Sequence, residues 1–230
     1  MVRLASLFAV LALASSPVDA KCAMSHLRPK VVTTGAIIAG GGFLVATEQV
    51  SYDVTDEGDA TQPTWKLLAG GATTAPTLTT LAPGLVVYGV PMAGDVSLVV
   101  GTTVLAKLTS TKGNPARLAA PSVKRIRHDK TVGRRSSAYT RVTLAAAPPA
   151  GATALVLTDA KGTARSFGLV EGTGTEVTVY AHSRCGVVPN TTIESAIGDK
   201  VKVFWVDHSG RVSPASKTIT VTGKTDDRGD

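Results

Sequence analysis

Past its first twenty positions this chain offers no window in which a helix could run, because β-branched Val, Thr and Ile or a Gly interrupts every candidate. Such residues lose side-chain or backbone freedom in a helix. Apolar residues recur instead in runs of four to eight, broken by Gly, Pro, Asn and Asp, which is the spacing of short strands joined by turns. The reading is all-β. In the first half the strand candidates are 31–38, 43–49, 65–68, 85–90, 96–100 and 103–108, with Gly101 and Thr102 making a tight hairpin between the last two. In the second half they are 139–144, 154–157, 165–170, 176–182, 201–206 and 217–221. Alternation puts Val177 and Val179 on one face of their strand, and Val201, Val203 and Trp205 on one face of theirs, opposite Lys202 and Phe204.

Residues 1–20 read as a secretory signal peptide. Arg3 gives the positive start, 4–14 is an apolar run, and Val18-Asp19-Ala20 supplies small or compact residues at the positions that set cleavage. The run is shorter than the roughly 20 residues that cross a bilayer, and no later segment reaches that length without a charge or a Gly/Pro break. No transmembrane span is expected. Cys22 invites a lipoprotein reading, but Lys21 before it fits poorly the small residue such processing wants. The Ala/Gly/Val/Arg-rich usage and the style of the signal point to a secreted bacterial protein of the periplasm or cell surface.

Export gives the two cysteines a meaning, because an oxidising compartment favours pairing Cys22 with Cys185. Closing so long a loop would contribute about 4–5 kcal/mol in the chain-entropy model. The alternatives are free thiols, or a metal held by Cys22 and His26 together with His182 and Cys185, a donor set that suits tetrahedral zinc. The disulfide is the expectation, with no cofactor.

About 210 residues follow the signal, enough for one large or two small domains. The chain carries a formal net charge of +7. Residues 21–115 hold six basic and six acidic residues, whereas 117–230 hold seventeen basic and ten acidic. The change falls beside Lys112-Gly113-Asn114-Pro115, which has the turn chemistry of a linker. The expected organisation is therefore two β-sandwich domains in tandem, 21–115 and 116–222, followed by a polar, fraying tail at 223–230.

One stretch carries a family likeness. Gly198-Asp199-Lys200-Val201-Lys202-Val203-Phe204-Trp205-Val206-Asp207-His208-Ser209-Gly210-Arg211-Val212-Ser213-Pro214-Ala215-Ser216 resembles the last hairpin of fibronectin type III-like and related bacterial immunoglobulin-like domains. There a strand ends in Asp, a Gly-containing turn follows, and Ser-rich residues lead into a final Thr/Val strand, here 217–221. The resemblance implies a fibronectin type III-like sandwich for the second half. The first half could be a more diverged immunoglobulin-like copy. The Tyr common at the start of the penultimate strand is replaced by Val201, and the early core Trp has no counterpart in 141–144.

Seven cations, Lys124, Arg125, Arg127, Lys130, Arg134, Arg135 and Arg141, cluster beside a single acid, Asp129. The plain reading is a solvated strand and loop that keep a sheet edge from aggregating. The functional reading is a patch for phosphate or sulfate groups, such as those of anionic glycans, envelope lipid headgroups or extracellular nucleic acid, because guanidinium forks bind such oxygens bidentately. On alternation Lys124, Ile126 and His128 share one face, and Val123, Arg125 and Arg127 the other. Only Tyr139 is near for stacking, so sequence-specific nucleic acid is not an expected partner.

Other motifs carry less. Residues 53–59 form an acidic loop whose spacing does not match an EF-hand, so a solvated loop is preferred to calcium. Arg228-Gly229-Asp230 matches an adhesion tripeptide too short to found a proposal on. Asn190-Thr191-Thr192 accepts a glycan only where the host has that machinery. His26, His128, His182 and His208 belong to no hydrolase or metalloenzyme motif, and no acid–base pair can be defended, so no catalysis is expected. The expected role is an envelope-associated binding or adhesive module for an anionic glycan or lipid headgroup, with other surface proteins as further partners. The alternative is a structural spacer or an accessory subunit of a surface assembly. Intact-mass spectrometry of the exported chain tests the cysteine reading: a mass two hydrogens below the reduced value and no bound metal is expected, and two thiols carrying zinc would overturn it.

Overall fold

A computed structural model describes residues 25–38, 41–51, 65–113, 117–133, 136–183, 186–188 and 193–227. The expected signal peptide, Cys22, Cys185, the 53–59 loop, Arg134, Arg135, the 190–192 acceptor and 228–230 lie outside these residues. All regular structure among the described residues is β, with no helix. The first half supplies β1 (Ser25–Val31), β2 (Ile37–Ile38), β3 (Gly42–Ser51), β4 (Trp65–Ala69), β5 (Ala72–Thr74), β6 (Thr77–Ala82), β7 (Leu85–Gly89), β8 (Gly94–Val100) and β9 (Thr103–Thr111). The second supplies β10 (Val123–Val132), β11 (Ser137–Leu144), β12 (Ala152–Asp159), β13 (Ala164–Leu169), β14 (Glu176–Ser183), β15 (Gly186–Val188), β16 (Lys200–Asp207) and β17 (Ile219–Asp227).

Strands of the first half form a four-stranded sheet, β1-β3-β7-β6, and a five-stranded sheet, β2-β9-β8-β4-β5. Those of the second half form one run, β13-β12-β16-β17-β10-β11-β14-β15. That run folds back on itself at β17, which pairs with β16 only at residues 219 and 220 and then lies parallel to β10 from Val221 to Asp227. Residues before and after that switch belong to opposing layers.

Alternation along each strand decides which layer each side chain meets. On β3, Phe43 and Val45 face the five-stranded sheet, where they pack with Ile37, Leu67, Val96 and Leu98. Their neighbours Leu44 and Ala46 face the other way, against Ala154, Val156, Phe167 and Val206 of β12, β13 and β16. β12 repeats the device: Leu155 and Leu157 turn from the first half and join Val201, Val203, Trp205, Ile126, Val142 and Val177. Three apolar seams thus join four β layers, and the middle two layers are covered on both faces. The residues expected to share a face, Val177 with Val179 and Val201 with Val203 and Trp205, do so in the third seam. Phe204, on the opposite face of β16, packs against the first half.

The turn after β16 locks the middle layers. Asp207, 4% exposed, accepts the Ser209 and Arg211 backbone N–H groups at 2.9 Å each and the Arg211 guanidinium at 2.7 Å. So held, the buried Ser209 accepts the Gly42 N–H on its carbonyl at 2.8 Å and the Ile38 N–H on its Oγ at 3.1 Å. Nε2 of His208 donates to the Ala36 carbonyl at 3.1 Å. Gly210, at φ +79°, lies so close to Val87 that a β-carbon would fall 2.3 Å from its side chain, which leaves glycine as the residue that fits.

Two expectations change. Residues 31–38 are not one strand: β1 ends at Val31, the Thr33 hydroxyl takes the Leu44 N–H at 2.6 Å, and the chain crosses to pair Ile37 and Ile38 with β9. The polar segment after Val221 does not fray but continues β17 to Asp227, because β10 offers it a free edge. Gly223, at φ +149°, permits that approach, since a β-carbon there would sit 1.7 Å from the His128 carbonyl oxygen.

Leu44→Ala removes a fully buried side chain from the seam shared by both halves and is expected to cost about 2–5 kcal/mol. Because that seam is common property, Trp65→Phe and Trp205→Phe variants, each reporting one half by fluorescence, should show coincident unfolding midpoints in the wild-type and Leu44→Ala backgrounds. Separate midpoints in the wild-type background would show that the halves do not unfold as a unit.

Candidate functional site

The outer face of β17, β10, β11 and β14 carries the cation cluster. Cross-strand register arranges it in rows: Lys224, Asp129 and Tyr139 in one, Thr222, Arg127, Arg141 and Thr178 in the next, then Arg125, Thr143 and Glu176. Arg125, Arg127, Asp129, Arg141, Thr143 and Glu176 line a depression of about 250 Å³. Ile126, between the two arginines of β10, points the other way into the third seam, so the core on one face fixes the arginines on the other.

Arg127 stands directly opposite Arg141, a like-charge pair that is unfavourable alone. Each has an acid to offset it. Arg127 Nε donates to Asp129 with N···O distances of 2.7–2.8 Å, and Arg141 Nε lies 3.7 Å from Glu176. Arg141 also lies over the Tyr139 ring, 5.5 Å from its centroid, within the range of cation–π attraction. Among the described residues Arg125 reaches only the Thr143 hydroxyl, at 3.4 Å. For Asp129, partial desolvation raises the carboxyl pKa, but the Arg127 hydrogen bond and charge, with the Lys224 N–H and charge, outweigh it and hold the group below its ordinary value. Three guanidinium groups and two carboxylates leave the depression with one net positive charge.

Of the seven cations named from sequence, the five described residues do not form one patch. Arg125, Arg127 and Arg141 converge; Lys124 sits exposed at the bulge that opens β10; Arg134 and Arg135 lie outside the described residues. Lys130 shares the inward face of β10 with Ile126 and His128, and it bridges to Glu194 at 3.1 Å. His128, 3% exposed, lies between the Thr140 hydroxyl at 2.9 Å and Glu194 at 3.0 Å. A carboxylate only accepts, so His128 Nε2 carries the proton toward Glu194, and in the neutral ring Nδ1 accepts from Thr140. Tyr180 donates to the same carboxylate; burial first, then the Glu194 charge and hydrogen bond, push its phenol pKa up. Every polar atom of this His is satisfied, which accounts for its burial.

Glu176 and Glu194 are not among the site residues expected from the sequence. Glu176 could have been found, since it opens a strand on which Val177 and Val179 face inward. Glu194 comes from a connecting segment with no periodicity. Beside it, Asp199 accepts from the Ala196 N–H at 3.0 Å and from Arg165 at 2.5 Å. The backbone bond is the largest influence; desolvation opposes it, Arg165 assists, as does His128 when its ring is protonated, and the carboxyl lies below its ordinary 3.8.

No family model matches this chain, and no curated protein matches it. Among solved structures, a biofilm associated protein BSP domain covers 85% of this chain at a TM-score of 0.28 and 14% identity. This chain spans 29% of that one. Among the described residues no helix is long and apolar enough to cross a membrane.

Carboxyls depressed in the folded state stabilise it fully above their unfolded value and lose that contribution as pH falls through the folded one. For Asp129 and Asp199 the loss begins below about 3.8. Asp199→Asn is therefore expected to lower stability at pH 7 and to narrow its gap from wild type progressively as pH falls below about 3.8, measured by denaturant titration at each pH. A gap that stays constant with pH would contradict the assignment.

Proposed function

We propose that this protein is an exported, non-catalytic module of a bacterial envelope that holds an anionic ligand on the outer face of β10 and β11. The observation that carries the reading is the convergence of Arg125, Arg127 and Arg141 on one depression, with the Arg125 guanidinium engaged, among the described residues, only by a long bond to Thr143. A guanidinium so lightly held can exchange that bond for a bidentate contact to a carboxylate, sulfate or phosphate at little cost. Opposed layers β10-β11-β14 and β13-β12-β16, with β17 shared between them, support a fibronectin type III-like reading of the second half, and the faces of β3 and β7 against β4 and β8 support an immunoglobulin-like reading of the first. The cysteine bridge and the secretory signal belong to this proposal as well.

A second reading, a structural spacer or accessory subunit, is favoured by the seam between Leu44, Leu85 and Val87 of one half and Ala154, Val156 and Val206 of the other. Such a seam makes a stiff unit, useful for holding other parts apart. The two readings differ in salt dependence, since exposed charges are screened over about 8 Å at physiological ionic strength. Wild type should bind immobilised heparin or lipopolysaccharide at low salt and release it as salt rises. The triple variant Arg125→Ser, Arg127→Ser, Arg141→Ser should lose at least tenfold in affinity while melting normally. Equal binding by the two proteins would remove the anion reading and leave the spacer.

A further inference from the structure

The charge pattern of the depression narrows its ligand. Acids are interleaved with the arginines: Asp129 beside Arg127 and Glu176 beside Arg141. A carboxylate can accept hydrogen bonds but cannot donate them. Sulfate and phosphate chains offer dense anionic oxygens with few donors, so they would satisfy the guanidinium groups while repelling Asp129 and Glu176. A ligand that suits all five groups carries an anion for an arginine and hydroxyl donors for the acids. It also needs an apolar surface for the ring of Tyr139, which is 37% exposed in the row adjoining the Arg127–Arg141 pair.

Sugar rings bearing carboxylates meet all three conditions. At about 250 Å³ the depression is smaller than the roughly 300–1,000 Å³ usual for drug-sized ligands, which fits one ring of a polymer whose neighbours run over the open sheet. Hydroxyls of Thr143 and Thr178 border the arginines in register and can both donate and accept, while that of Thr222 already donates to the Ile126 carbonyl at 3.1 Å. We infer that the outer face of β17-β10-β11-β14 binds a carboxylated polysaccharide through Arg125, Arg127 and Arg141, with Asp129 and Glu176 accepting its hydroxyls and Tyr139 carrying a ring face. This rests on the anion-binding reading above and adds the chemical class of the ligand.

Polygalacturonate, dextran sulfate, single-stranded DNA and neutral dextran serve as probes at 0.15 M salt, with wild type, the triple arginine variant, Asp129→Asn/Glu176→Gln and Tyr139→Ser. Wild type should prefer polygalacturonate to dextran sulfate and DNA, and should ignore neutral dextran. Neutralising the two acids should weaken polygalacturonate binding about tenfold and strengthen dextran sulfate binding. Tyr139→Ser, which removes no charge, should weaken polygalacturonate several-fold more than dextran sulfate, whose only loss is the ring contact of Arg141, and it decides the matter if the double variant fails to fold. If neutralising the acids strengthens binding to both polymers, or if dextran sulfate or DNA is preferred by wild type, the carboxylated-sugar inference falls while anion binding stands. If the triple arginine variant binds every probe as wild type does, both fall.

Discussion

Burial of both faces of the two middle layers is the constraint on which the rest of this structure hangs. A strand has two sides, and on β3, β7, β12 and β16 each side faces another sheet. Leu44 cannot leave its seam without exposing Val156 and Val206 in the other half, and Leu155 is fixed because its neighbour Val156 is fixed. Apolar area removed from water contributes about 25 cal/mol per Å², so two-sided burial concentrates stabilisation in a few strands. The outer layers can then afford sparse, polar outward faces. The Asp207–Arg211 turn adds direction to this non-directional force, since Ser209 fits between Ile38 and Gly42 in one register only.

Much of this could be seen in the residues. Absence of any helical window and the alternation at 177–180 and 201–206 gave the all-β class and the inward faces of β14 and β16. What alternation could not reveal is a strand with no solvent side. Ala154-Leu155-Val156-Leu157 is continuously apolar, the mark of a strand buried on both faces, yet one sequence does not say what lies on the second face. Phe204 looked like the outward partner of Lys202 and instead packs against the first half. β17 was hidden for the opposite reason: Thr222 to Asp227 is polar, and its strand conformation comes from the β10 edge rather than from its own composition.

The cation cluster was legible as composition and misleading as a surface. Counting charges along 124–141 gives seven cations and one acid, but pairing brings Glu176 and Glu194 from distant segments to the same strands. Lys130 leaves the face altogether, because His128, Lys130 and Ile126 share the inward side of β10. Local charge density in sequence overstates the field wherever neighbouring strands supply counter-charges, and only register, which is a tertiary property, says where those fall.

The parallel course of β17 beside β10 has a mechanical consequence. Seven consecutive pairs, from Ile126 with Val221 to Val132 with Asp227, join the two strands with both chains running the same way. Tension applied between Val123 and Asp227 pulls them in opposite directions along their length, so the rungs share the load together instead of opening one after another from an end. A molecule fastened at those two points would resist stretching as a shear joint does.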